Sequence, residues 1–312
     1  MNKGSITILK SGPLSLIQDF GRYGLSHLGL TQGGPVDDYA YSWANHLLQN
    51  PINSPSLEIT LGQCAIKVNQ DCLLSIAGGD LQVKLDEASI PNWSSFVAYK
   101  GQILSFGLPR NGLRAYLAVK GGFKAPVSLT STSTVVREKV GGLTQDGQPC
   151  QANQDIQFHT HPIPLHFKPL SVTFRYTPDY NLPLTLRVIE GYQSNLFTKA
   201  AKSTFYNSPF TVSQNSNRMG YRLSGDPVES PDITMLSEGI ALGAIQIPKD
   251  GQPIILLNDR QTIGGYPKLG CIARIDLPRL AQAKPGQQVC FVKGDRLGLQ
   301  DVWCQWARFF GY

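Results

Sequence analysis

Apolar stretches in this chain are short, and each is closed by Gly, Pro, Asn or Asp. They are residues 5–9 (SITIL), 72–77 (CLLSIA), 96–99 (FVAY), 114–119 (RAYLAV), 184–189 (LTLRVI), 254–257 (IILL) and 288–292 (QVCFV). Runs of this length, rich in Val, Ile, Leu and aromatics, are strands rather than helices. Their spacing, punctuated by 31 Gly and 21 Pro, favours barrels or sandwiches over a doubly wound sheet. The expected fold class is mainly β: two β-rich subdomains with a few short helices.

Three helices are expected. In the first, over 35–49, Pro35 would take the first helical position and Asp37 and Asp38 the positive end of the dipole. Val36, Ala40, Trp43, Ala44 and Leu47 then share a face. The second covers 277–283. The third covers 300–310, where Trp303, Trp306 and Phe310 form a stripe read as core packing or a terminal clamp, with a partner surface as the alternative. Residues 158–169 (FHTHPIPLHFKP) carry a Pro every few positions and read as an extended connector. The division is therefore placed there: 1–160 as the N-terminal subdomain with helix 35–49, and 161–312 as the C-terminal one.

The 312 residues suffice for a large core. A net charge of +6 spread over 16% charged residues, with no long basic run, gives no footprint for nucleic acid. No window is long and apolar enough for a membrane span and the N-terminus has no secretory apolar core, so a cytoplasmic protein is expected. Cys64, Cys72, Cys150, Cys271, Cys290 and Cys304 form no CxxC pair and read as buried thiols in a reducing compartment. His159, His161 and His166 lie in the Pro-rich connector with no carboxylate well placed, and no metal site is expected. Both standard phosphate-binding glycine loops and the G-x-S-x-G nucleophile elbow are missing.

The segment 237–270, SEGIALGAIQIPKDGQPIILLNDRQTIGGYPKLG, strings polar side chains onto Gly-hinged turns after apolar runs. Glu238 and Asp259 are candidate proton acceptors. Gln246, Gln261, Thr262 and Tyr266 supply amides and hydroxyls, and Gly264 and Gly265 allow close approach. In SNRMGYRLSG, Arg218 could clamp an anion or be an ordinary surface charge. In QDFGRYG, Arg22 could grip a carboxylate or phosphate, or Asp19 and Arg22 could pair structurally.

The blocks QDFGRYG, GGPVDDYAYSWAN, SNRMGYRLSG, the 237–270 segment and LAQAKPGQQVCF, in this order, resemble the family of the 5-oxoprolinase C subunit. It is also called KipA, allophanate hydrolase subunit 2, or the biotin-dependent carboxyltransferase family. The likeness runs from about residue 5 to 295. Gly191-Tyr192-Gln193 departs from it, standing where Gly-Pro-Gln is usual. The resemblance implies a cyclophilin-like β-barrel in the C-terminal subdomain. It implies work in a complex with the A and B subunits of 5-oxoprolinase, the latter KipI-like. That complex uses ATP to open 5-oxo-L-proline to L-glutamate; which of its members binds ATP is left open. The alternatives are one lobe of a biotin-dependent carboxyltransferase, with biotin carried by another protein, and a KipA-like regulator that antagonises a kinase inhibitor. Urea, other amides and lactams all present a planar N–H/C=O edge. Gln246 and Gln261 are suited to reading such an edge, and Arg218 to holding a neighbouring anion.

Overall fold

The computed structural model describes residues 3–233 and 235–312. The chain divides into two compact units, 1–22 with 33–180, and 23–32 with 181–312. The change of unit thus falls at 180/181 rather than at 160/161, and the 23–32 segment belongs with the second unit.

In the first unit a five-stranded sheet runs in the order Leu14–Gln18, Ser56–Thr60, Asn111–Val119, Cys72–Asp80, Ser94–Ala98. A seven-stranded sheet is built around Lys3–Ser11, which pairs with Asp155–His159 on one side and Cys64–Val68 on the other. Alternation along the strands explains the layers. Leu57, Ile59, Ile76 and Leu117 join Ile6, Ile8 and Ile66 in one apolar cluster, while Ala77, Tyr116 and Ala118 face the other way, onto helix α1 (Asp38–Leu47), through Ala40, Tyr41 and Ala44. Covered on both faces, the central strands lack the apolar–polar alternation of a half-exposed strand.

α1 starts later than the sequence pattern predicts. The N–H of Val36 donates to Glu58 (3.2 Å) and that of Asp37 to the Tyr116 hydroxyl (2.9 Å). Asp37, with φ −109° and ψ 85°, is the N-cap, its carboxylate accepting from the Ala40 N–H at 2.8 Å. Pro35 therefore lies outside the helix: an N-cap aspartate ended the competition for the first turn.

The second unit is a closed barrel of seven strands: Leu184–Glu190, Lys268–Ile272, Ala244–Gln246, Ile254–Leu256, Gly220–Ser224, Phe210–Val212 and Gln288–Lys293, in ring order. Closure comes from Gln288–Lys293 pairing parallel with Leu184–Glu190. The interior is apolar: Leu186, Phe205, Phe210, Leu223, Ile245, Ile255 and Phe291 are fully buried or nearly so. Helix α2 (Lys199–Asn207), not expected from the sequence, caps this core through Ala201 and Phe205. It begins at a Thr198 cap. α3 (Leu277–Ala281) is shorter than expected, and α4 (Arg296–Phe310) is a turn longer, because Asp295 caps it by accepting from the N–H of Leu297 and Gly298. The stripe on α4 packs on itself, with Trp306 5.2 Å from Phe310 and 4.9 Å from Tyr312 between ring centres. The mainly β class and the barrel match the expectation. Among the described residues no helix is long and apolar enough to cross a membrane, and no three His, Cys, Asp or Glu side chains gather as a metal cage.

Candidate functional site

Asp19 and Arg22, in the first unit, do not pair with each other in a simple bridge; both grip the 128–133 loop. The Asp19 carboxylate accepts from the hydroxyls of Ser131, Ser133 (2.6 Å) and Thr132 (3.1 Å) and from the N–H of Thr132 (2.7 Å) and Gly21 (2.9 Å). Burial pushes its pKa upward, but these donors together hold it below the ordinary carboxylate value. Arg22 donates to the carbonyls of Ser128 (3.0 Å), Ser131 (3.3 Å) and Ser133 (2.6 Å).

In the second unit Arg218 and Asp259 take each other. The guanidinium makes two parallel bonds to the carboxylate, both 2.8 Å, with the side chains only 5% and 6% exposed. The Asp259 N–H also donates to the Arg218 carbonyl at 3.0 Å. A fork-to-carboxylate pair buried to this degree has the geometry of a brace between the 218 turn and the 257–262 loop. Arg260 tightens the same loop, donating to the carbonyls of Ile240 (3.0 Å) and Leu257 (3.2 Å), while its own carbonyl accepts from the Thr31 hydroxyl at 2.7 Å.

The other predicted residues of this unit meet around a short ladder. Strand Glu238–Gly239 pairs antiparallel with Ile263–Gly264, so that Glu238 stands opposite Gly264. The Thr262 carbonyl accepts from the Ile240 N–H at 3.0 Å and holds that ladder closed. On the barrel, Gln246 stands opposite Lys268. Gln246 is 1% exposed, yet its amide nitrogen has no hydrogen-bond partner among the described residues. A Cβ placed on Gly264 would lie 3.2 Å from Gln246 Nε2 and 3.6 Å from Gln261 Nε2. Gly265 faces the Met235 carbonyl and the Ser237 hydroxyl, and Tyr266 is half exposed.

Three residues given no role by the sequence complete this patch. Tyr192 and Gln193 donate to the Glu238 carboxylate, and Lys268 forms an ion pair with it. Gln193 also donates to the Tyr192 hydroxyl (2.9 Å) and accepts from the Lys268 N–H (2.8 Å). The Lys268 bond, then that of Tyr192, holds the Glu238 pKa below the ordinary range, and Glu238 in turn raises that of Tyr192. An ionised, triply bonded carboxylate is a hydrogen-bond acceptor more than a proton acceptor. The one sequence signal was the departure at Gly191-Tyr192-Gln193, where the fold buries Gln193 to 2% exposure. Contacts among positions 192, 238 and 268 depend on strand register, which the sequence does not display.

A mainly β chain with a closed seven-stranded barrel and a polar ladder at residues 238–239 and 263–264 defines the class. The chain belongs to the family described as carboxyltransferase domain, subdomain A and B, which it matches over residues 28–293. It is 34% identical to the 5-oxoprolinase C subunit of Escherichia coli over 289 residues, covering 92% of this chain and 91% of that protein. The Haemophilus influenzae counterpart, also a 5-oxoprolinase C subunit, is 33% identical, with 92% and 90% covered. The fold is also that of part of the Kluyveromyces lactis urea carboxylase, with a TM-score of 0.88 at 25% identity. That match covers 99% of this chain and spans 29% of the larger one.

Proposed function

We propose that this chain is the C subunit of an ATP-dependent 5-oxoprolinase, working with the A and B subunits to convert 5-oxo-L-proline to L-glutamate. The observation that carries the reading is the likeness to the bacterial C subunit, which runs nearly the whole length of both proteins. The urea carboxylase likeness, by contrast, engages a minor part of a much longer chain.

In this reading the patch around Glu238 and Gly264 faces the lactam. Glu238, kept ionised, orients substrate; Lys268, Tyr192 and Gln193 position Glu238; Arg218 and Asp259 brace the loop that carries Gln261, Thr262 and Gly264. Tyr266 and Gly265 belong to the reading as substrate-binding candidates, whereas Asp19 and Arg22 hold the 128–133 loop of their own unit. ATP does not fit the patch: its cation, Lys268, is already engaged by Glu238, and a triphosphate needs several donors and charges at once. The nucleotide is therefore assigned to a companion protein of the complex, and the chain alone is expected to be inactive.

Mixing the three purified subunits from one source with 5-oxo-L-proline and ATP tests this. Glutamate release coupled to ATP consumption is expected, and its absence from the complete mixture refutes the reading. A second reading, one lobe of a biotin-dependent carboxyltransferase, is favoured by the urea carboxylase likeness. It predicts that a biotinylated protein co-purifies with this chain.

A further inference from the structure

We propose that Gly264 is the floor of a subsite for the H–N–C=O edge of a planar amide, with donors on one side and a carboxylate acceptor on the other. The inference deepens the lactam reading above and rests on it only for the identity of the natural substrate.

The donors come first. A primary amide buried to 1% exposure whose nitrogen has no partner among the described residues is rare, because a lost hydrogen bond inside a protein is not returned by water. The unsatisfied atom is Gln246 Nε2, and it lies beside the place where residue 264 would carry a side chain. Gln261 Nε2 approaches the same place from the loop. Two neutral N–H₂ groups converging on one point make a seat for a carbonyl oxygen.

The acceptor is fixed by register. Glu238 lies directly opposite Gly264 on an antiparallel ladder. Side chains at such positions share a face, with Cβ atoms roughly 4.5–5.5 Å apart. One carboxylate oxygen of Glu238 is taken by Gln193 and Lys268; the other receives Tyr192 and keeps a lone pair. That lone pair is available to a ligand N–H. An ionised carboxylate accepts and does not donate, which selects a ligand N–H over a carbonyl oxygen at this position.

Glycine at 264 leaves the two amide nitrogens with no side chain between them and the ladder. A methyl group there would point at the two amides, and the contact at 2.7 Å is with Ile240 Cδ1, the flexible end of a side chain. Gly264→Ala is thus a conservative plug that leaves the ladder intact.

The test uses ligand-observed NMR on the full chain, alone and mixed with the A and B subunits. The probes are 5-oxo-L-proline, 2-pyrrolidinone and N-methyl-2-pyrrolidinone. Saturation transfer to the two N–H lactams is expected. Binding should weaken about tenfold or more for the N-methyl probe and for Gln246→Leu, the loss of one well-placed hydrogen bond, and vanish in Gly264→Ala at an unchanged melting temperature. Equal binding of the N-methyl probe, unaltered binding by both variants, or no lactam binding in either preparation overturns the proposal. If the three-protein mixture releases glutamate with an unchanged KM in Gly264→Ala, the subsite is refuted and the function stands. Lactam binding that depends on Gly264 without glutamate release refutes the function and leaves the subsite.

Discussion

Asp259→Ala separates a brace from a catalyst. The substitution removes two charge-assisted bonds of 2.8 Å and deprives the Arg218 guanidinium, 5% exposed, of its carboxylate. Breaking a buried pair from one side costs about 3–5 kcal/mol, most of it the uncompensated charge. At about 2–4 °C per kcal/mol, the melting temperature of the barrel unit should fall by roughly 6–20 °C. Removing both charges, in Arg218→Met with Asp259→Leu, should recover most of that loss, since apolar groups of similar volume need no partner. Calorimetry of the three proteins measures this directly. The reasoning is refuted if Asp259→Ala melts with the wild type while the assembled complex loses turnover. Asp259 would then be a reacting group and its bond to Arg218 dispensable.

Two further outcomes are expected. Asp19 has a folded-state pKa below its ordinary value of 3.8, so its contribution to stability is present above that value and is lost as pH falls through the folded value. Asp19→Asn should therefore be destabilised at neutral pH, and its deficit against wild type in urea melts should narrow below pH 3.8; a deficit constant down to about pH 2 contradicts this. Burial pushes the thiols of Cys64 to about 11 and of Cys72 and Cys150 to about 12, whereas Cys290 is exposed. An aromatic disulfide reagent at about pH 8 should modify Cys290 first and reach those three only on unfolding, and peptide mapping that finds Cys72 or Cys150 modified in the folded chain counts against the packing described.

Much of the architecture was legible because it rests on local chemistry. Each of the apolar runs picked out in the sequence falls on a strand, since short β-branched stretches between turn residues have few other options. Helix α2 was missed because KAAKSTFYN offers only Ala201 and Phe205 to the core, too few to declare a period. The start of α1 was misplaced because the N–H groups of Val36 and Asp37 are satisfied by Glu58 and Tyr116, partners remote in sequence. The candidate site divides in the same way. Glu238, Gln246, Gln261 and Gly264 stood out as polar or glycine positions in one punctuated segment, and the fold gathers them. Lys268, in the same segment, was given no role, and Tyr192 entered only as a departure from the family pattern. Their convergence on Glu238 is a product of barrel register, and register is a long-range property.

The parallel seam between Leu184–Glu190 and Gln288–Lys293 sets the order of events during synthesis. The first of these strands leaves the ribosome about 100 residues before the second, a delay of roughly 5–20 s at ordinary elongation rates. Throughout that interval one flank of Leu184–Glu190 offers unpaired peptide groups to any extended chain nearby. The barrel can be completed only once Gln288–Lys293 has been made, so the polar ladder, though closed by nearby residues, waits until then for a rigid support. Shielding of that early strand then bears on the yield, and expression at lowered temperature, where apolar self-association weakens, should raise the soluble fraction.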